Sequence, residues 1–247
     1  MERYQGKKAV IIGGTSGMGL ATAKMLLVGG ASVLVTGRSQ AGLESAKKEL
    51  GKDALVVSSD ARSLTDIDAL ASRVKAEFDT IDLLSVSAGF SIPAPLGSIT
   101  EAGYDDMFNV NAKGPLFAVQ KLAPLINWGG AVVLTTSVAN VKGLPGNAAY
   151  SGAKAALRSF ARTLATELVP AGIRVNAVTP GPIDTPIVGK VFPKNAIPQI
   201  REKMTEMVPM KRWGTPDEIA KAVLFLAFDA TFTTGAELPV DGGWSQL

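Results

Sequence analysis

Short apolar runs, largely β-branched, alternate with longer amphipathic stretches along the whole chain. Ala9–Ile12, Ser32–Thr36, Ala54–Ser58, Ile81–Val86, Ala131–Thr135, Ile173–Val178 and Glu237–Val240 read as strands. Most are near-continuously apolar rather than alternating, the pattern of strands covered on both faces. Between them, Gly17–Val28, Ala41–Leu50, Leu64–Phe78, Tyr104–Ile126, Ala148–Leu168 and Pro216–Ala227 carry helical periodicity. This alternation predicts an α/β fold, a parallel sheet of about seven strands with helices on both faces. No linker, repeat or composition shift marks a boundary, so residues 1–247 read as a single domain. One stretch breaks the rhythm. Pro186–Met210 carries prolines, apolar patches and charges but no strand. An excursion that long is expected to be a substrate-binding lid, with an irregular surface loop as the alternative.

Composition narrows the chemistry. At 47% hydrophobic residues the 247-residue chain can build a sizeable core. Net charge is only +3 and the basic residues are scattered, which argues against nucleic acid or a membrane surface as partner. No apolar run is long enough to span a bilayer. The first residues lack a signal-like apolar core, so a cytoplasmic location is expected. The chain has no cysteine and no histidine. That removes thiolate nucleophiles, Ser-His-Asp triads and Cys- or His-ligated metals. Acid/base work is left to Tyr, Lys or a carboxylate.

Tyr150 and Lys154 stand four residues apart in Tyr-Ser-Gly-Ala-Lys, within a predicted helix. Residues i and i+4 share a helix face, so a phenol and an ammonium can meet in one pocket. A phenol with pKa near ~10 is a poor acid/base at neutral pH, and a nearby cation is expected to lower it. Tyr-x-x-x-Lys is also common on helix surfaces, and the rest of the chain must decide.

The first strand runs into Gly13-Gly14-Thr15-Ser16-Gly17-Met18-Gly19 and then a helix. Glycines in such a turn let the backbone approach a pyrophosphate at the helix N-terminus, with Thr15 and Ser16 adding hydroxyls. The second strand ends at Gly37-Arg38-Ser39, without the carboxylate that would hold the ribose 2′-hydroxyl of NAD. Arg38 and Ser39 suit a 2′-phosphate instead, which predicts NADP(H). Asp60, followed by Ala61, is placed to accept from the adenine amino group or to cap the next helix, although Ser63 is the better cap. Ser87-Ala88-Gly89 closes the fourth strand with residues small enough for a ribose to lie against the backbone.

Taken in order, Gly13-x-x-x-Gly17-x-Gly19, Ala88-Gly89, Asn111, Ser137, Tyr150-x-x-x-Lys154, Pro180-Gly181-Pro182-Ile183-x-Thr185 and Leu238-Pro239-Val240-Asp241-Gly242-Gly243 resemble the short-chain dehydrogenase/reductases. The resemblance covers essentially the whole chain and implies a Rossmann-type doubly wound sheet. It implies a catalytic set: Tyr150 as proton donor and acceptor, Ser137 holding the substrate oxygen, Lys154 tuning the phenol and binding the nicotinamide ribose, and Asn111 kinking its helix and anchoring a proton relay. It implies that Pro180, Gly181, Ile183 and Thr185, with Met18 in the glycine turn, contact the cofactor. Two positions depart from the family pattern. Ile12 replaces a threonine before the first glycine, and Val86-Ser87 replaces two asparagines before Ala88-Gly89.

The implied activity is NADPH-dependent reduction of a ketone or aldehyde to an alcohol, with a 3-oxoacyl carrier-protein or CoA thioester as alternative substrate and a non-catalytic NADP sensor as the reading from another class. Val191, Phe192, Ile197, Met204 and Met207 of the excursion, facing Ile92, Pro93, Val138 and Leu144, are expected to form an apolar substrate pocket. The family is usually tetrameric, so a homotetramer is expected, with Trp244 at an interface. No metal site is expected.

Overall fold

The structure is a computed structural model and describes residues 3–191 and 195–247. One parallel sheet of seven strands runs in the order β3-β2-β1-β4-β5-β6-β7. The strands are β1 (Lys8–Ile12), β2 (Ser32–Gly37), β3 (Ala54–Ser58), β4 (Ile81–Val86), β5 (Ile126–Thr135), β6 (Arg174–Pro180) and β7 (Glu237–Val240). The helices are α1 (Gly17–Val28), α2 (Gln40–Leu50), α3 (Leu64–Phe78), α4 (Glu101–Phe108), α5 (Gly114–Leu122), α6 (Ala148–Leu168), the short α7 (Val188–Val191), α8 (Ile197–Met207) and α9 (Pro216–Leu224).

The two-residue period of a strand divides the core in two. Val10 and Ile12 of β1 point into one layer with Leu70 and Val74 of α3, Leu122 of α5 and Leu157 of α6. Ala9 and Ile11 point the other way, onto Leu20 and Leu26 of α1 and Ile219 and Val223 of α9. Every central strand must be apolar on both faces, which is why these segments read as unbroken hydrophobic runs. Ile12, the departure from the family's threonine, is only 3% exposed and simply joins the core.

Two expectations need correction. The single helix expected over Tyr104–Ile126 is broken into α4, a π-helical turn at Asn109–Lys113, α5 and a 3₁₀ turn, and Ile126 already belongs to β5. Pro115 has no N–H to return to the carbonyl four residues back, and the Gly114 N–H reaches Asn109 O instead. The excursion at 186–210 is not irregular throughout. Pro198 stands in the first turn of α8, where a missing N–H costs nothing, so a residue that suggested a loop in fact opens an eleven-residue helix.

After β1 the chain moves outward to β2 and β3, then returns across to β4 on the other side. The reversal leaves a crevice beyond the C-terminal ends of β1 and β4, where ligands of open α/β sheets bind. Both glycine-bearing segments, 13–19 and 87–89, fall at this point.

Candidate active site

The glycine turn packs with almost no clearance. A Cβ on Gly13, whose φ is +83°, would come within 2.5 Å of Ala88 N. Ala88 and Ser87 both donate backbone N–H groups to Ile12 O, at 2.9 and 2.8 Å. Gly13, Ala88 and Gly89 therefore line the crevice floor with bare backbone. Gly17 opens α1 with φ +53° and faces Thr185, whose Cγ2 lies 3.2 Å from where a Cβ would stand. Ser16 is the N-cap residue of α1, its side chain making no cap bond, and Thr15 packs on Gly37. Gly19 packs against the carbonyl of Gly13. This cradle fits a dinucleotide pyrophosphate: backbone exposed, helix N-terminus open, and no side chain in the way.

Arg38 and Ser39 lie exposed at the tip of β2. The Ser39 hydroxyl already accepts from Gly42 N at 3.2 Å, which makes it the N-cap of α2. Asp60 differs more from expectation. Both of its oxygens accept from Arg62, at 2.7 to 3.1 Å, and Arg62 also reaches Asp106 at 3.1 Å. Arg62 holds the Asp60 carboxyl below the usual carboxylate range, and the charge of Arg38 adds to the pull. The carboxylate thus clamps its own loop, leaving little acceptor capacity for an adenine. Ser63, not Asp60, caps α3. Ala61 O packs against Gly114 at the start of α5.

A cavity of 270 Å³ continues from the crevice across the ends of β4, β5 and β6. Met18, Gly89, Pro180, Gly181, Ile183 and Thr185 reach it from the cofactor side, and Ser137, Tyr150 and Lys154 meet at its base. Ser137 follows β5 directly and caps a one-turn 3₁₀ helix, its hydroxyl accepting from Ala139 N at 3.2 Å. Tyr150 and Lys154 occupy the first two turns of α6. Lys154 is 4% exposed, donates to Thr135 O at 2.8 Å and lies 5.8 Å from the centre of the Tyr150 ring. Asn111 is fully buried in the π-helical turn. Its Nδ2 donates to Phe90 O and Met107 O, while its Oδ1 has no partner. A Cβ on Gly89 would meet both that oxygen, at 2.7 Å, and Lys154 Nζ, at 3.2 Å. The four residues singled out by motif therefore converge, and Gly89 is the gap that lets them.

The electrostatics differ from the expected phenolate–ammonium pair. Burial pushes the Tyr150 phenol up, opposed by the Ser137 hydroxyl. Burial pushes Lys154 down to about 7.

Among the expected substrate residues, Val138, Leu144, Pro93, Val191 and Met204 line the cavity. Ile92 does not; it is 63% exposed, because the loop turns Pro93 inward in its place. Phe192 lies outside the described residues. Trp244, expected at a subunit interface, is instead buried against Val138 and Val208 and reaches the cavity wall. Phe90, Ser91, Asn147 and Trp213 also line it and carry no sequence signal that marks them.

Behind Ser137 sits a carboxylate that motif reading passes over. Glu237 Oε1 accepts from Thr136 Oγ1 at 3.1 Å, from Thr179 Oγ1 at 2.6 Å and from Asn140 Nδ2. Its Oε2 pairs with Arg158 at 2.6 Å. Thr136 and Asn140 bracket the Ser137 turn, and Arg158 lies one turn beyond Lys154 on the same face of α6. One partly buried carboxylate thus ties the serine turn to the helix that carries Tyr150.

The family model described as enoyl-(acyl carrier protein) reductase matches residues 13–245. The chain is 38% identical to an oxidoreductase named asL5 from Sarocladium schorii, over 100% of this chain and 99% of that protein. It is 34% identical to the 3-oxoacyl-[acyl-carrier-protein] reductase FabG of Thermotoga maritima, over 98% of each. Among solved structures, levodione reductase superposes with a TM-score of 0.91 at 29% identity, covering 98% of this chain and 99% of that one.

Two outcomes follow from the buried charges. Folded Lys154 titrates near 7 against 10.5 for an ordinary lysine. The unfolded chain therefore holds the extra proton between those values, and stability rises with pH across that window. From pH 7 to 9.5 the wild type should gain roughly 3 kcal/mol relative to Lys154→Met in denaturant unfolding; a constant difference would mean an unshifted lysine. Glu237→Ala leaves Asn140 and Arg158 without this acceptor, the two threonine hydroxyls keeping each other and Val178 O, and should cost about 2 kcal/mol, with Glu237→Gln costing less. Urea midpoints measure both.

Proposed function

Because the chain belongs to the short-chain dehydrogenase/reductases, we propose that this oxidoreductase reduces a ketone or aldehyde to an alcohol with NADPH. The observation that carries the reading is the convergence of Ser137, Tyr150 and Lys154 at the base of an otherwise largely apolar cavity, with Asn111 buried beside Lys154 behind Gly89. A nicotinamide cofactor supplies the hydride. The chain's own residues hold it and manage the proton. Gly13, Gly17, Gly19, Thr15 and Ser16 would hold the pyrophosphate, with Arg38 and Ser39 at the 2′-phosphate. Asp60, Ala61, Ala88 and Gly89 would flank the adenosine. Pro180, Gly181, Ile183, Thr185 and Met18 would hold the nicotinamide end, and Lys154 its ribose.

Ser137 and Tyr150 would both donate to the carbonyl oxygen as negative charge builds on it. A phenol pushed up by its surroundings stays protonated at neutral pH, which suits a proton donor to an alkoxide. After that donation Lys154 would pass a proton back toward the phenol, and Asn111 Oδ1, an acceptor without a protein partner, would anchor a water that resupplies the lysine. Helix α8 and its flanks, within 186–210, would act as the lid that excludes water; Ile187, Val188, Val191 and Met204 are cavity-facing side chains in it. Assembly as a homotetramer in the cytoplasm completes the reading, with a small carbonyl compound as substrate partner.

The similarity to FabG favours a second substrate class, the 3-oxoacyl thioester. Following NADPH absorbance with a ketone panel and with acetoacetyl-CoA separates the two; tight NADPH binding without any turnover would leave only a sensor. Tyr150→Phe should lower kcat by at least ~10³-fold with cofactor affinity nearly kept; a near-wild-type rate removes Tyr150 as the acid. Arg38→Asp should move the kcat/KM preference toward NADH, and a wild type that already prefers NADH overturns the NADP assignment.

A further inference from the structure

Away from Ser137, Tyr150 and Lys154 the cavity wall is mainly apolar, built from residues such as Phe90, Leu144, Val191, Met204 and Trp244. The other polar side chains that reach it are mostly accounted for. Ser87 and Thr135 share a hydrogen bond at 3.2 Å, Thr136 belongs to the Glu237 network, and Thr185 packs on Gly17. Ser91 and Asn147 remain. They come from different loops and meet in the wall, Ser91 Oγ donating to Asn147 Oδ1 at 3.1 Å.

Asn147 occupies the N-cap position of α6, where asparagine is among the most favourable residues and a cap bond contributes about 1 kcal/mol. It makes no such bond. With φ −111° and ψ 20° its backbone is turned out of the capping conformation, and its side chain goes to Ser91 and, through Nδ2, to Pro145 O at 3.2 Å. A residue that forgoes local stabilisation to face a cavity is where function is expected. The amide nitrogen carries two hydrogens and uses one here, and the Ser91 hydroxyl can still accept. Asn147 and Tyr150 are three residues apart, so they lie on the same side of the helix. A ligand with its carbonyl at Tyr150 therefore has its far side near Asn147.

We infer that Asn147 and Ser91 form a subsite for a second oxygen on the substrate. The preferred substrate is then a compact ketone that also bears a hydroxyl or a second carbonyl, which cyclohexanone derivatives are small enough to probe. The size follows from the 270 Å³ cavity, which must take the nicotinamide end as well. The chemistry follows from the one spare N–H of Asn147 and the open lone pairs of the Ser91 hydroxyl in an apolar wall: a ligand hydroxyl can use both and a carbonyl the N–H, whereas an unsubstituted ligand leaves that N–H without an acceptor. This inference rests on Ser137 and Tyr150 being the carbonyl end of the site.

Two measurements separate its failure from failure of the reductase assignment. The first is binding without turnover. Wild-type protein saturated with NADPH is titrated with cyclohexanol and with cyclohexane-1,4-diol, alcohols that NADPH cannot reduce, and followed by ligand-observed NMR. The diol should bind roughly tenfold tighter, and Asn147→Leu should bring the ratio close to one. The second is kinetic. The ratio of kcat/KM for 4-hydroxycyclohexanone over cyclohexanone should fall about 10- to 100-fold in Asn147→Leu. Ser91→Ala should lower the same ratio by a smaller factor, and Asn147→Ser should recover part of it; Ser91→Ala carries the test alone if Asn147→Leu does not fold. No diol preference in the wild type, or a preference that survives both substitutions, overturns the subsite. A preference that depends on Asn147 while neither ketone turns over keeps the subsite and removes the reductase reading.

Discussion

The hydrogen bond from Lys154 Nζ to the carbonyl of Thr135 joins the helix that carries the phenol to the strand that carries the serine. It is made by a side chain with almost no contact with water, so the amine must have a partner and the strand-end carbonyl must have a donor. That mutual need fixes how far α6 slides along the end of β5. Tyr150, one turn before Lys154, and Ser137, two residues after Thr135, are carried to the cavity base as a consequence. The Glu237 carboxylate repeats the same tie one turn further along α6, through Arg158 on one side and Thr136 and Asn140 on the other. Two polar anchors in line, one buried and one partly buried, tie the serine turn to the helix.

The same burial sets the chemistry. Removing Lys154 from water brings its titration near neutrality, and removing the phenol from water keeps its proton on. What stands there is a phenol that keeps its proton beside an amine whose titration burial lowers toward neutrality, the pair on which the proposed proton transfer rests. Asn111 Oδ1, buried and without a protein partner, lies beside the lysine across the space that Gly89 leaves open. Asn111 stands in the π-helical turn just before Pro115, and its side chain is buried there.

Substrate selection belongs to different elements from proton handling. The reacting groups stand on strand ends and a long helix, while the walls come from the loop after β4, the turn before α6, α7, α8 and the C-terminal Trp244. Rigid elements keep the geometry of the reaction, and loops vary what reaches it. The Ser91–Asn147 pair joins two such loops, which is why a contact with a substrate oxygen there can be changed without disturbing the base of the site.

The chain by itself determined the strand order's raw material and most of the reacting set. Short continuous apolar runs between turn signals fit strands covered on both sides, and the absence of histidine and cysteine narrowed the acid/base candidates to tyrosine, lysine and carboxylates, among which Tyr150 and Lys154 stand at helical spacing. Local pattern also placed the glycine turn and the Ser63 cap correctly, because both depend on neighbours in sequence. Tertiary structure decided what local pattern cannot carry. The break at Asn109–Lys113, the helix inside 186–210, the burial of Trp244 and the outward turn of Ile92 depend on which surfaces come together. So do the pKa shifts, since burial exists only once the layers have packed. Glu237 and Asn147 show this most clearly: nothing beside them in the chain marks either, and each acquires its role only from partners in other elements, Glu237 from residues 58 to 101 positions away and Asn147 from Ser91, 56 positions away.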